Sequence, residues 1–130
     1  MIDLELRRKA LEANGWTHVE YCRHPHELIG IAPHGVFAVQ CSGVLAHLPA
    51  VESDPGVAIN LLIEYSNKHD LQWSLDKDTE HVGNVTCLLY AIEVVRDIHA
   101  ETCSTEPATA ICQAIVEAHK AIAESAKEKP

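Results

Sequence analysis

Ser53-Asp54-Pro55-Gly56-Val57-Ala58-Ile59 and Thr105-Glu106-Pro107-Ala108-Thr109-Ala110-Ile111 are one phrase used twice: hydroxyl, acid, proline, small residue, β-branched residue, alanine, isoleucine. Each copy reads as a helix start. A short polar or acidic side chain at the N-cap accepts hydrogen bonds from the unpaired amides of the first turn, and proline sits where its missing N–H costs nothing. Asp54 and Glu106 also place negative charge near the positive end of a helix dipole. The phrase therefore predicts one helix over about 54–68 and another beginning at about 105. In the first, Ala58, Leu61, Leu62 and Tyr65 make the apolar face, widened by Ile59 and Ile63, against a polar stripe of Asn60, Glu64, Asn67 and Lys68. In the second, Ile111, Ala114, Ile115, Ala118 and Ile122 oppose Gln113, Glu117, Lys120 and Glu124, and a tail over 125–130 frays.

Over residues 3–14 helical spacing lines up Leu6, Ala10 and Ala13 with the preceding Ile2 on one face, with Leu4 and Leu11 beside it. Asn14-Gly15 ends that helix, glycine entering the left-handed position freely, and Trp16 folds back as the closing hydrophobic contact. Strand-like alternation follows at 16–22, a loop at Arg23-His24-Pro25-His26-Glu27, an apolar strand at 35–40 and a short extended segment at 44–48. Beyond the middle helix, Leu71, Trp73 and Leu75 alternate with Gln72, Ser74 and Asp76, and 76–80 is a charged turn. Residues 82–92 and 94–102 then read as two more strands, completing an antiparallel meander. Helices and strands follow the order α-β-β-α-β-β-β-α, with a third strand possible in the first group. That is an α+β domain of three helices and about five strands in a mainly antiparallel sheet.

With 130 residues the chain is a single domain large enough to bury a core unaided. Its 47% apolar and 22% charged content is that of a soluble globular protein, and no apolar run approaches the roughly 18 residues of a membrane span. Five cysteines at irregular spacing fit free thiols in a reducing cytoplasm. The net charge of −9 excludes general nucleic-acid binding, which depends on many lysine and arginine contacts. The one basic run, Arg7-Arg8-Lys9, reads as a solvated helix face paired Glu5 with Lys9 and Arg8 with Glu12.

The closing of the first helix by Gly15-Trp16, the segment Pro49 to Ile63, and the stretch Thr102 to Ala118 with its Glu106-Pro107-Ala108-Thr109-Ala110-Ile111-Cys112 phrase together resemble the phage ABA-sandwich domain, a family of small bacteriophage proteins. The resemblance spans most of the chain through three short signatures, while residues 22–48 form a longer insert than the family pattern has. It implies a layered α/β/α sandwich, a phage protein working in the host cytoplasm, and no catalytic residues to carry over.

Chemistry-bearing residues concentrate in the insert. His18, Cys22, His24, His26, His34, Cys41 and His47 are half of the protein's histidines and cysteines. The leading expectation is a non-catalytic phage binding protein without cofactor, a homo-oligomer that counters host defence by sequestering a nucleotide-type signal. Arg23, His24, His26 and His34 would meet phosphate or base edges, with Tyr65 and Trp73 stacking on a ring. One alternative is a zinc-dependent or thiol enzyme using 22–47. Cys22, His24 and His26 would be the ligands, although no C-x₂-C or H-x₃₋₅-H spacing is present. For a nucleophile, Cys22, Cys41, Cys87 and Cys103 are candidates, whereas Cys87 and Cys112 sit in apolar surroundings that suit core thiols. The other alternative is an interaction module that inhibits a host protein through a sheet edge or helix face.

Overall fold

Pro55 fills the first helical position behind Asp54, whose carboxylate accepts the amides of Gly56 at 3.1 Å and Val57 at 3.3 Å, so the first copy of the phrase opens a helix by the two devices its residues supply. The computed structural model describes residues 3–21, 28–31, 45–77, 84–91 and 98–128. Along them run α1 (Leu4–Ala13), β1 (Thr17–Tyr21), β2 (Leu28–Ile31), β3 (Leu45–His47), α2 (Pro55–His69), β4 (Gln72–Lys77), β5 (Val85–Tyr90), β6 (His99–Ser104) and α3 (Pro107–Glu128). The described residues thus form an α+β domain with three helices, in the expected order. Its described strands form two three-stranded antiparallel sheets, β1-β2-β3 and β4-β5-β6, instead of one sheet of about five. The strand expected at 35–40 and the turns near 78–80 and 93 lie outside the described residues.

Asp3 caps α1 by accepting the Leu6 amide at 3.0 Å. At the other end Gly15 takes a φ of 98°, its amide bonds the Glu12 carbonyl at 3.0 Å, and the Trp16 amide bonds the Leu11 carbonyl at 3.1 Å. That pair of bonds is a Schellman motif, and Trp16 and Leu11, both buried, are its hydrophobic contact. In β1 the alternation breaks at His18, which takes a φ of 55° where the register against β2 shifts between Thr17 and Glu20. Leu28-Ile29-Gly30-Ile31 has too short an apolar run to signal a strand, yet it pairs on both sides. A Cβ at Gly30 would lie 3.1 Å from side-chain atoms of Leu48 and Val19 and 3.2 Å from the Thr17 carbonyl, so a larger residue would require these neighbours to shift by a few tenths of an ångström.

The meander of β4, β5 and β6 is in continuous register. Rows Trp73–Leu89–Ala100 and Leu75–Cys87–Thr102 share one face, where Leu89, Ala100 and Cys87 are buried. α3 packs against β5 and β6 and also touches α1 and α2, so it is the element on which the helices and this sheet converge. Its alanines at 108, 110, 114 and 118 and isoleucines at 111 and 115 are buried, small side chains letting neighbouring backbones come close while each isoleucine contributes roughly 1.5–3 kcal/mol of burial. The helix continues to Glu128, beyond the start of the expected frayed tail.

Arg7 departs from the solvated face expected of it. It is 6% exposed, and its Nε donates to both carboxylate oxygens of Glu52, at 2.8 and 3.1 Å, while Glu52 is fully buried. The neighbouring Arg8 and Lys9 do keep the surface pairs the sequence indicates, Arg8 with Glu12 at 2.8 Å and Lys9 with Glu5 at 3.9 Å. Glu52 also accepts the Asp3 amide at 3.2 Å, and its carbonyl accepts from the Thr109 hydroxyl at 3.2 Å. One residue just before the first copy of the phrase thereby holds the start of α1 and a residue inside the second copy. No periodic pattern marks this pair, because its members are far apart in the chain.

Removing one partner of a buried ion pair leaves the other charge uncompensated. Glu52→Ala is expected to lower the unfolding free energy by about 3–5 kcal/mol, with the double change Arg7→Met/Glu52→Leu recovering most of the loss. Urea denaturation of both variants measures this; a Glu52→Ala loss within the roughly 0–1 kcal/mol of a surface pair would show that the contact is idle. The core thiols give a second expectation. Burial pushes Cys87 up to about 12, and burial followed by the nearby Glu52 carboxylate does the same to Cys112. Between pH 9, where such thiols ionise in the unfolded chain, and about 12, the folded state holds protons the unfolded state gives up. Stability is therefore full below pH 9 and falls as pH rises above it. The denaturation midpoint should drop on going from about pH 8.5 to 10.5, and drop less in Cys87→Ala/Cys112→Ala, since each thiol contributes up to about 1.4 kcal/mol per pH unit.

Candidate functional site

Where α1 lies beside α3, the charged positions of the two helices face one another across a groove. On α1, helical spacing puts Glu5, Lys9 and Glu12 on one side; on α3 it does the same for Gln113, Glu117 and Lys120, with Val116 between them. Two adjoining clefts run along the groove. The larger, about 320 Å³, is lined by Lys9, Glu12, Ala13, Val116, His119 and Lys120. The smaller, about 230 Å³, lies toward the start of α1 and adds Asp3, Glu5, Leu6, Gln113 and Glu117 to the shared Lys9, Val116 and Lys120.

Both lysines are held on the surface by short-range pairs, Lys9 with Glu5 at 3.9 Å and Lys120 with Glu117 at 3.3 Å, in side chains all more than half exposed. His119 is positioned from α2. The Tyr65 hydroxyl lies 3.1 Å from His119 Nδ1, and the Tyr65 ring is tilted against His69 with centroids 4.4 Å apart. The His69 and His119 rings meet edge to face at 6.3 Å. Burial pushes the Tyr65 hydroxyl above its ordinary range, so it stays protonated. The hydroxyl donates to Nδ1 in the tautomer that carries its proton on Nε2, and accepts from Nδ1 in the other. The result is a fixed imidazole at the wall of the larger cleft, oriented by a wholly buried tyrosine.

Tyr65 and Trp73 were the two rings expected to stack on a ligand. Tyr65 is fully buried, and its place is beneath His119. Trp73 is 38% exposed and sits on β4, in one row with Leu89 on the face that α3 covers. The remaining candidates, Arg23, His24, His26 and His34, together with Cys22 and Cys41, lie outside the described residues. Of the described thiols, Cys87 and Cys112 are buried and Cys103 is exposed on β6. A thiol held near 12 is protonated at neutral pH and is a poor nucleophile, which suits Cys87 and Cys112 to the core. Among the described residues no group of three or more histidine, cysteine or acidic side chains is arranged to hold a metal ion, and no helix is long and apolar enough to cross a membrane.

The groove residues Lys9, Val116, His119 and Lys120 were not singled out by sequence. Lys120 reads there as part of a polar helix face and Lys9 as half of a surface pair. Only the packing of α1 on α3, from opposite ends of the chain, brings them together. No family model, curated protein or solved structure matches this chain.

Proposed function

We propose that this chain is a non-catalytic binding domain that holds a small nucleotide-type ligand in the groove between α1 and α3. The larger cleft carries the reading. Its volume of about 320 Å³ falls at the lower end of the range of small-molecule sites, roughly 300–1,000 Å³. Ala13 and Val116 offer it an apolar floor, and Lys9, Lys120 and His119 supply N–H donors against the single carboxylate of Glu12. A ring on that floor with an anionic group between the lysines uses each of these features. The protein's net charge of −9 opposes an anion at long range, so the local lysines must outweigh it and affinity should fall as salt rises.

In the phage setting that the family resemblance implies, such a protein acts by sequestration, withdrawing a nucleotide-type immune signal in the host cytoplasm. Arg23, His24, His26 and His34 stay candidate phosphate contacts within that proposal. The expected homo-oligomer belongs to it too, and native mass spectrometry counts subunits and co-purified ligand together.

Calorimetric titration with cyclic nucleotides and nucleoside monophosphates tests the reading. At least one should bind, and Lys9→Ala/Lys120→Ala should weaken it by roughly tenfold or more, as expected for losing hydrogen bonds from charged donors. Undiminished binding by the double variant, or a panel that neither binds nor raises the melting temperature, would remove the groove from consideration.

A further inference from the structure

The groove changes sign along its length. Lys9, Val116 and Lys120 line both clefts, so the two lysine side chains stand at the junction, their ammonium groups beside Glu5 at 3.9 Å and Glu117 at 3.3 Å. Toward His119 the lysines meet one carboxylate, Glu12, which is tied to Arg8 at 2.8 Å. Toward the start of α1 they meet three, Asp3, Glu5 and Glu117. An anionic group at the junction is favoured, and an apolar body attached to it has the larger cleft beside His119 to occupy. A second anionic group has no comparable place, since extending the ligand the other way brings it against the three carboxylates.

From this asymmetry we infer that the groove selects a ligand with one compact phosphate-type head on a flat apolar body, and rejects a chain of phosphates. The inference rests on the groove being the binding site, as proposed above, and adds to it the charge and direction of the ligand. Like charges at contact distance in water repel enough to change an equilibrium roughly fivefold, more where solvent is partly excluded. Each added phosphate should thus weaken binding by about that factor or more.

AMP, ADP and ATP titrated into the full chain without divalent cation, at constant ionic strength, read the discrimination directly. AMP is expected to bind at least about fivefold more tightly than ADP, and ADP more tightly than ATP. Glu5→Gln/Glu117→Gln, which alters two exposed side chains, should narrow the AMP-to-ADP ratio toward one whatever it does to the absolute affinities. ADP or ATP binding as tightly as AMP overturns the inference and leaves the groove standing as a site. An AMP-to-ADP ratio that the double variant leaves unchanged overturns it as well, because the carboxylates would then not be the cause. If none of the three binds but a cyclic nucleotide does, the inference is overturned and the groove stands; if the cyclic nucleotides fail as well, the groove is refuted and the inference falls with it.

Discussion

The carboxylate of Glu52 ties the start of α1 to the turn before α2. It is fully buried, and two charges removed from water are tolerated only when geometry and additional hydrogen bonds compensate them. Arg7 supplies the counter-charge at 2.8 Å, and the Asp3 amide supplies a further donor. Because Arg7 and Asp3 belong to the beginning of α1 and Glu52 to the turn before α2, the ion pair fixes how those two helices start relative to each other. The Glu52 carbonyl extends the arrangement to α3 through Thr109, whose hydroxyl also lies 3.1 Å from the Glu106 carboxylate and shares its single proton between the two acceptors. An apolar contact of equal area would hold the helices together without specifying this relative placement.

The two copies of the helix-opening phrase therefore have a relation that their likeness alone does not explain. Asp54 uses its side chain on the amides of its own helix, as a short acid at an N-cap should. In the second copy the acid is the longer Glu106, which reaches the Thr109 hydroxyl one turn on, while its amide is satisfied by Ser104 at 3.2 Å. The same polar–acid–proline pattern thus starts both helices with different hydrogen bonds. Thr102 adds a side-chain bond from β6 to the Ala110 carbonyl, anchoring the first turn of α3 to the strand that precedes it.

Local physics explains which parts of this fold can be read from the chain. Helix starts, the Gly15-Trp16 cap and the buried faces of α2 and α3 depend on residues within a few positions of one another, and they occur where Asp54, Gly15 and the isoleucines of 111 and 115 require. The meander was legible because Trp73 and Leu75 alternate with polar neighbours. β2 was not, since Gly30 interrupts its pattern and owes its place to Leu48 and Val19 beside it. Arg7 departs from its local pattern for the same reason: its spacing matches a solvated face, and only a partner far along the chain makes burial favourable. The groove is the extreme case, built from surface positions of the first and last helices that carry no shared signal.

The difference between the two kinds of ion pair also bears on how the groove would work. Glu52 and Arg7 are desolvated, so neither can exchange its partner without leaving a buried charge. Lys9 and Lys120 are more than half exposed, and pairs of that kind contribute only about 0–1 kcal/mol in water. Releasing Glu5 and Glu117 to meet a ligand consequently costs little and disturbs no packing. His119 joins the two regimes, with its ring on the groove wall and its Nδ1 held by the buried Tyr65 hydroxyl. The fold thus presents exchangeable charges on a support whose own charges are fixed, an arrangement suited to binding without rearrangement of the core.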